Sequence, residues 1–361
     1  MRSVRPLRIC LVASSRFPIR EPFAGGLEAL THALAIELGR RGHHVTLFAA
    51  SGSDPALDVH ELAVPTYDGS AAARLDVNAP SDLWMAEHHA YLGLMLDLVR
   101  DGAERFDVVH NNSLHHLPVA MAPALTVPLV TTLHTPPVPW LESAAALAPD
   151  SAVFVAVSRC TSEAWAHAVP STTILNGVDV HRWRAGPGGG PAVWSGRLVR
   201  EKAPHEAIDA AAAAGVPLVL AGPAPDDDYF RAEIAPRLGP SAVHVGHLDH
   251  LALARLLGRA SVALVTPAWD EPYGLVAAEA MACGTPVAAY ARGALPEIVA
   301  PGTGALAVAG DVADLARAIT EARACDRDVV RRHAERHCSL DRMVDDYERL
   351  YDSLVDVVAA A

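Results

Sequence analysis

The chain has 361 residues, 51% of them hydrophobic and 20% charged, which suits two globular domains of ordinary size rather than a disordered chain. Its formal net charge of -13 repels nucleic-acid phosphates and anionic lipid surfaces. A general nucleic-acid binder is therefore disfavoured, although a local basic pocket is still allowed.

The start, MRSVRPLRICLVASS, is basic and then apolar, in the manner of a secretion signal. Its apolar run is short, however, and Arg16 and Pro18 follow at once, so Leu7 to Ala13 reads as a first buried strand. GGLEALTHALAIELGRRGH comes next, with Leu27, Leu30, Leu34 and Leu38 at helical spacing and Gly42 as a stop. Val45–Phe48 is then a strand and Leu83–Arg100 a helix. Further strands are predicted at Asp107–His110, Leu129–Leu133, Ala152–Val157 and Thr172–Leu175. The run RAGPGGGP, residues 184–191, is dense in glycine and proline and predicts a flexible connection between domains.

The alternation then restarts, with strands at Ala192–Ser195, Leu218–Ala221, Val243–Val245, Val262–Val265 and Val287–Ala289. Helices are predicted around 203–214, 249–258, 274–282 and 311–323, and LDRMVDDYERLYDSLVDVV is a long amphipathic helix at the end. No run reaches transmembrane length. Short apolar runs alternating with amphipathic stretches are the pattern of parallel βαβ units. The expected division is 1–183, 191–338 and a terminal helix at 339–361. Paired α/β units bind ligands in the cleft between them, at the carboxyl ends of their strands. Five scattered cysteines without CxxC spacing suggest neither a zinc ribbon nor a disulfide framework, and are expected as free thiols in a reducing cytoplasm.

Four segments carry chemistry. In TPAWDEPYGLVAAEAMACGTPV a strand ends at Thr266 and a helix opens near Gly274. The free amides of Gly274, Leu275 and Val276 can hold a phosphate or sugar oxygen, and Tyr273 beside them is counted with the donor-binding set. Glu279, two turns inside the helix among Ala277, Ala278 and Ala280, can accept both hydrogen bonds of a ribose diol. Glu271, in the loop, can orient sugar hydroxyls. In VWSGRLVREKAP, Arg197 and Lys202 follow a strand end, where two cations can neutralise a leaving diphosphate. Lys202 is the only lysine of the chain. Gly25 and Gly26 open the first helix, whose dipole and bare amides can face a phosphate. His134 ends a strand before a proline-rich loop, where it can hydrogen-bond a sugar.

These segments, GGLE, TLH, AVSR, ILNGVD, SGRLVREK and EPYGLVAAEAMACGTPV, occur in the order seen in family 4 of the retaining glycosyltransferases, which the chain resembles from about Leu7 to the final helix. The resemblance implies a GT-B fold: two facing Rossmann-like domains with parallel sheets, the first binding acceptor, the second binding a nucleotide-sugar donor, and a C-terminal helix returning to the first. It implies donor-diphosphate contacts from Arg197 and Lys202, a ribose contact from Glu279 and sugar contacts from Glu271 and His134. Gly25 and Gly26 would approach the phosphates, and Gly246 and His247 would receive the nucleobase. The implied reaction is hexose transfer with retention, without a protein nucleophile, cofactor or metal. The sequence departs from the family pattern at Ala203-Pro204, where a glycine usually follows the lysine, and at Thr135, where aspartate is common.

Asp226-Asp227-Asp228 reads as a solvated helix-capping run rather than a DxD metal site, and the histidine pairs form no metal-ligand pattern. Without GxGxxG after the first strand, a nicotinamide-dependent oxidoreductase lacks its fingerprint. A nucleotide-sugar epimerase, a sugar phosphorylase and a non-catalytic nucleotide-sugar-binding protein remain the alternatives. UDP-sugar is the default donor. The acceptor, expected near residues 16–24, 80–92, 110–117 and 134–142, can be a small molecule, a glycan or a lipid-linked glycan. That region includes Arg16, Arg20, His88, Trp140 and the pair His115-His116. Weak peripheral membrane association stays open, with no strongly basic amphipathic helix to argue for it.

Overall fold

The computed structural model describes residues 5–62, 69–148 and 152–360; the basic start at 1–4 and the last residue lie outside them. The chain divides into two compact units. One comprises residues 1–155, 164–172 and 347–361, and the other 156–163 and 173–346.

The first sheet contains β1 (Arg8–Val12), β2 (His44–Ala49), β3 (Asp58–Glu61), β4 (Val108–Asn111), β5 (Leu129–Leu133), β6 (Val153–Ala156) and β7 (Thr172–Thr173), in the order β3-β2-β1-β4-β5-β6-β7. The central strands are apolar on both faces because helices cover both. Ile9, Cys10, Leu11 and Val12 of β1 are all buried, and β1 pairs in parallel with β2 and with β4. The helix Gly26–Arg40 buries Leu30, Leu34 and Leu38, a stripe at intervals of one turn.

The second sheet contains β8 (Ala192–Ser195), β9 (Leu218–Ala221), β10 (Ala242–His244), β11 (Ala263–Val265), β12 (Val287–Tyr290) and β13 (Gly304–Ala307), parallel throughout in the order β10-β9-β8-β11-β12-β13. Both sheets thus follow the doubly wound order 3-2-1-4-5-6, which puts a topological switch point between β1 and β4 in one unit and between β8 and β11 in the other.

The predicted strands form at their expected bounds or within two residues of them. The sequence reading missed β3 and β13, which are edge strands. β3 is DVHE with no buried residue, and β13 is GALA, built from residues too small to signal a strand. It also missed the helix Arg327–His337, whose only buried residues are Val330 and Ala334.

The run 184–191 is not the flexible connection expected of it. It lies inside the second unit, with the amides of Gly186, Gly188 and Gly190 donating to the carbonyls of Cys283, Gly258 and Arg259 at 3.1, 2.9 and 2.8 Å. The Arg327 guanidinium adds hydrogen bonds to the carbonyls of Gly186, Gly258, Ala260 and Cys283 and to the Thr285 hydroxyl. A Cβ on Gly186 would lie 2.3 Å from the Gly258 carbonyl oxygen. Glycine is there for close approach of two backbones, not for mobility.

The terminal helix, Leu340–Ala360, belongs to the first unit from Tyr347 onward. Tyr351 hydroxyl is 2.6 Å from His110 Nδ1, and Tyr347 hydroxyl is 2.9 Å from Thr132 Oγ1. Glu348 accepts from Arg41 at 2.8 Å and from His43 at 3.0 Å. His43 is the Nε2–H tautomer, because its Nδ1 accepts the Leu7 amide.

Candidate functional site

In the second unit the switch point brings together the loops that leave β8 and β11. A chain of glycines lets the strand ends approach: Gly196 donates its amide to Ala221, and Gly222 donates to Gly246. A Cβ on Gly222 would sit 1.8 Å from the Gly196 carbonyl oxygen, so this crossing tolerates no other residue. Past it, the loop turns through Arg200–Lys202 and then Ala203, which adopts a left-handed conformation at φ 42°. The Thr266 hydroxyl, at the end of β11, bonds the carbonyls of Lys202 and Ala203 at 2.9 and 3.1 Å and accepts the Trp194 indole N–H at 3.0 Å. The departure from the expected glycine at Ala203 thus keeps the glycine-like backbone, held from the neighbouring strand.

That geometry delivers Lys202 Nζ to Glu271 Oε2 at 2.5 Å. The ammonium also lies 5.2 Å from the centre of the Trp269 ring, a cation–π contact that the sequence reading did not single out. The Glu271 loop is backed by Gly293, where a Cβ would lie 2.3 Å from the Glu271 amide nitrogen, and its carbonyl accepts the Ala294 amide at 2.8 Å. Arg197 stands half-exposed on the same loop as Lys202, and among the described residues its one ion pair is to Glu201 at 3.6 Å.

The helix Leu275–Ala282 opens at Gly274, which is left-handed at φ 98°, and no side chain caps it. A Cβ on Gly274 would meet Leu295 at 2.8 Å. The amides of Leu275 and Val276 therefore start a helix without a side-chain acceptor. Glu279 is only partly exposed and, among the described residues, its carboxyl has no hydrogen-bond partner; burial raises its pKa to about 8. The Tyr273 side chain is buried in the core beside Cys338. Only its backbone is available to a ligand. Gly246 is left-handed at φ 77° with open space where a Cβ would be, and His247 beside it is exposed.

In the first unit, Gly25 is extended and Gly26 begins its helix without a side-chain cap. A Cβ on Gly25 would meet the Glu28 carboxylate at 3.2 Å, so an acidic group already stands at this N-terminus. His134, at the end of β5, holds its Nε2 2.8 Å from Asn112 Oδ1, and burial lowers its pKa to about 3. The ring is neutral and donates to the amide oxygen. Asn112, buried at the end of β4, belongs with Asn111 to the strand end that, together with His115-His116, is expected on the acceptor side.

Around the ends of β1, β4 and β5 the same unit gathers aromatic rings. Trp84 stacks on His88 with centroids 4.9 Å apart, and His116 lies 4.8 Å from Trp140. His115 stacks between Tyr91 at 4.2 Å and His116 at 4.5 Å. Tyr91 hydroxyl ties this array to the end of β1, donating to the Ala13 carbonyl and accepting the Ser15 amide. Arg16 makes a bidentate pair with Glu87 at 2.6 and 2.9 Å.

Asp226 caps the short helix that follows it by accepting the Tyr229 amide, and among the described residues no group of three or more histidine, cysteine, aspartate or glutamate side chains is placed to hold a metal. All five cysteines are unpaired.

Residues 24–182 match the Glycosyltransferase Family 4 domain and residues 191–336 the Glycosyl transferases group 1 domain. The chain is 32% identical to glycogen synthase of Mycobacterium tuberculosis over 356 residues, covering 87% of this chain and 85% of that protein. It is 30% identical to D-inositol 3-phosphate glycosyltransferase of Rhodococcus erythropolis over 376 residues, covering 86% and 81%. Its fold is shared with Anabaena HepE, solved in complex with UDP and glucose, at a TM-score of 0.74 and 21% identity over 96% of this chain and 100% of that one. Two doubly wound units of this order define the GT-B class of fold. The chain belongs to glycosyltransferase family 4 and is a glycosyltransferase.

Proposed function

We propose that this enzyme transfers a hexose from a nucleotide diphosphate sugar, with UDP as the favoured base, to an acceptor with retention at the anomeric carbon and without a metal. The observation that carries the reading is the grouping at the β8/β11 switch point: Lys202 bonded to Glu271, Arg197 on the same loop, an uncapped helix start at Gly274, and an unpartnered Glu279 in that helix. A diphosphate needs cations and bare amides, and a ribose diol needs a free carboxylate. UDP is favoured because a protein of the same fold is described with UDP and glucose.

In the proposed step the bond from the anomeric carbon to the diphosphate oxygen breaks as the acceptor oxygen bonds to that carbon from the same face. The acceptor proton passes to the departing phosphate oxygen. Arg197, Lys202 and the helix start at Leu275 would balance the developing charge, so the protein's part is positioning and electrostatics. His134 and Glu271 would hold sugar hydroxyls, Gly25 and Gly26 would approach the phosphates, and Gly246 and His247 would border the base. A cytoplasmic setting fits five unpaired cysteines.

The test is thermal stabilisation of EDTA-treated protein by UDP, GDP, ADP and their common sugars. Concentration-dependent stabilisation by one nucleoside diphosphate, lost in Lys202→Ala and Glu279→Ala, supports the reading. Unchanged stabilisation in both variants sinks the site assignment, and a strict requirement for added divalent metal sinks the metal-free mechanism.

A further inference from the structure

The aromatic array of the first unit is not explained by core packing, because its two largest rings face water: Trp140 is 56% exposed and Trp84 37%. It stands at the carboxyl ends of β1, β4 and β5, which are neighbours in the sheet and flank the switch point where doubly wound units place ligands. Beside the rings the unit leaves polar atoms unsatisfied. Asn112 is 2% exposed, and its amide nitrogen has no partner once its oxygen accepts His134. Turning the amide over would only exchange which atom is left alone. Thr135 Oγ1 and His88 Nδ1 are likewise buried without partners among the described residues. Unpaired buried groups of this kind are costly unless a ligand or water completes them. Hydrogen-bonding groups next to flat aromatic faces are what a polyhydroxylated ring requires: its C–H face stacks on the aromatic surface and its hydroxyls reach the polar atoms.

The charge of the array narrows the ligand further. Arg16, the cation at its edge, is engaged by both oxygens of Glu87. Arg20, the next cation on that loop, acts on Asp54, which is itself bonded to His32. Burial and mutual repulsion keep the rings of His88, His115 and His116 neutral at pH 7. A phosphate or carboxylate on the ligand would meet, at the edge of the array, a cation already engaged by both oxygens of Glu87. Resting on the transferase reading above, we propose that this surface binds the acceptor as an uncharged polyhydroxylated ring, a neutral sugar or cyclitol, stacked on Trp140 and Trp84 with Asn112 and Thr135 bonding its hydroxyls.

The test is saturation-transfer NMR on the full chain in the presence of UDP, with maltotriose, methyl α-glucoside and myo-inositol as neutral probes, and glucose 6-phosphate and inositol 3-phosphate as charged ones. The expected result is saturation of ring C–H protons of at least one neutral probe, with binding at least tenfold weaker in Trp140→Ala and restored in Trp140→Phe. UDP affinity, measured separately, should stay within twofold in both variants, which also reports that they are folded. Tighter binding of the phosphorylated probes, equal binding by Trp140→Ala, or no saturation of any probe overturns the proposal. Failure of the wild type to bind any nucleoside diphosphate would instead sink the donor reading and leave the probe result to be judged alone.

Discussion

Substituting Glu279→Gln removes a carboxyl group that burial holds at about pH 8 and that no described residue hydrogen-bonds. In the unfolded chain a glutamate titrates near its ordinary value of 4.5. Between those two values the folded state retains a proton that the unfolded state has released. The contribution of Glu279 to wild-type stability therefore falls as pH rises from about 4.5 to about 8, and this group adds no slope outside that window. A shift of roughly 3.5 units at about 1.36 kcal/mol each sets an upper bound of about 5 kcal/mol. Because the side chain is partly open to water, about 2–3 kcal/mol is the expected size. Glutamine keeps the shape and does not titrate, so the variant should match the wild type at pH 5 and exceed it by that amount at pH 8.5. Urea unfolding at the two pH values, with equal m-values, measures the difference. Activity should move the opposite way: KM for the sugar nucleotide, whose diphosphate does not titrate here, should fall for the wild type as pH rises toward 8 and should be high and flat for the variant. Parallel stability curves for the two proteins, or a variant less stable at pH 8.5, would refute the reasoning.

Three further outcomes follow from named contacts. Ala203→Val places a β-branched residue at φ 42° and should cost about 2 kcal/mol or more in urea unfolding, while Ala203→Gly should be near neutral, relief of about 1–2 kcal/mol being offset by chain entropy and a lost buried methyl. His110 is fully buried, bonded to Tyr351 and Thr132, and held neutral by burial at about 3. The unfolded state binds the extra proton, so stability drops as pH falls from about 6.5, by about 2 kcal/mol from this group at pH 5; His110→Gln should reduce the slope of ΔG against pH by one proton. Arg327→Met strips the carbonyls of Gly186 and Ala260 of a charged donor and should cost about 2–3 kcal/mol in denaturant, with KM unchanged.

The sheets were legible because interior parallel strands are short, largely apolar runs, as in RICLV, LVTTL, AVWS and LVLA. Edge strands and charged helices were not, since DVHE and RDVVRRHAERH bury too little to leave a period. Glycines read in two ways. Gly274 was legible because it punctuates a strand–helix turn, whereas the run at 184–191 was misread because the same composition serves a flexible tether and a close backbone crossing. At the site, a lone lysine in an arginine-rich chain and a glutamate among alanines could be singled out. The partners that place them, Thr266, Trp269 and Gly293, could not, because their role depends on pairings across the sheet.

The free enzyme's charge arrangement divides the two loop cations. Lys202 is committed three ways: to Glu271 at 2.5 Å, to the Trp269 face, and through its carbonyl to Thr266. Among the described residues Arg197 has one ion pair, a screened 3.6 Å contact with an exposed glutamate, worth little in water. A diphosphate arriving at the switch point would add negative charge beside Glu271, which its partner lysine already balances. On the proposed function, Lys202 would meet the diphosphate from a fixed position, adding its charge while its contacts hold the Glu271 loop beside β8. Arg197 has the properties of a mobile clamp, free to reorganise around the ligand at small cost. On this division Lys202→Arg disturbs the site although it preserves charge, because a planar guanidinium cannot take the compact position between a carboxylate and an indole.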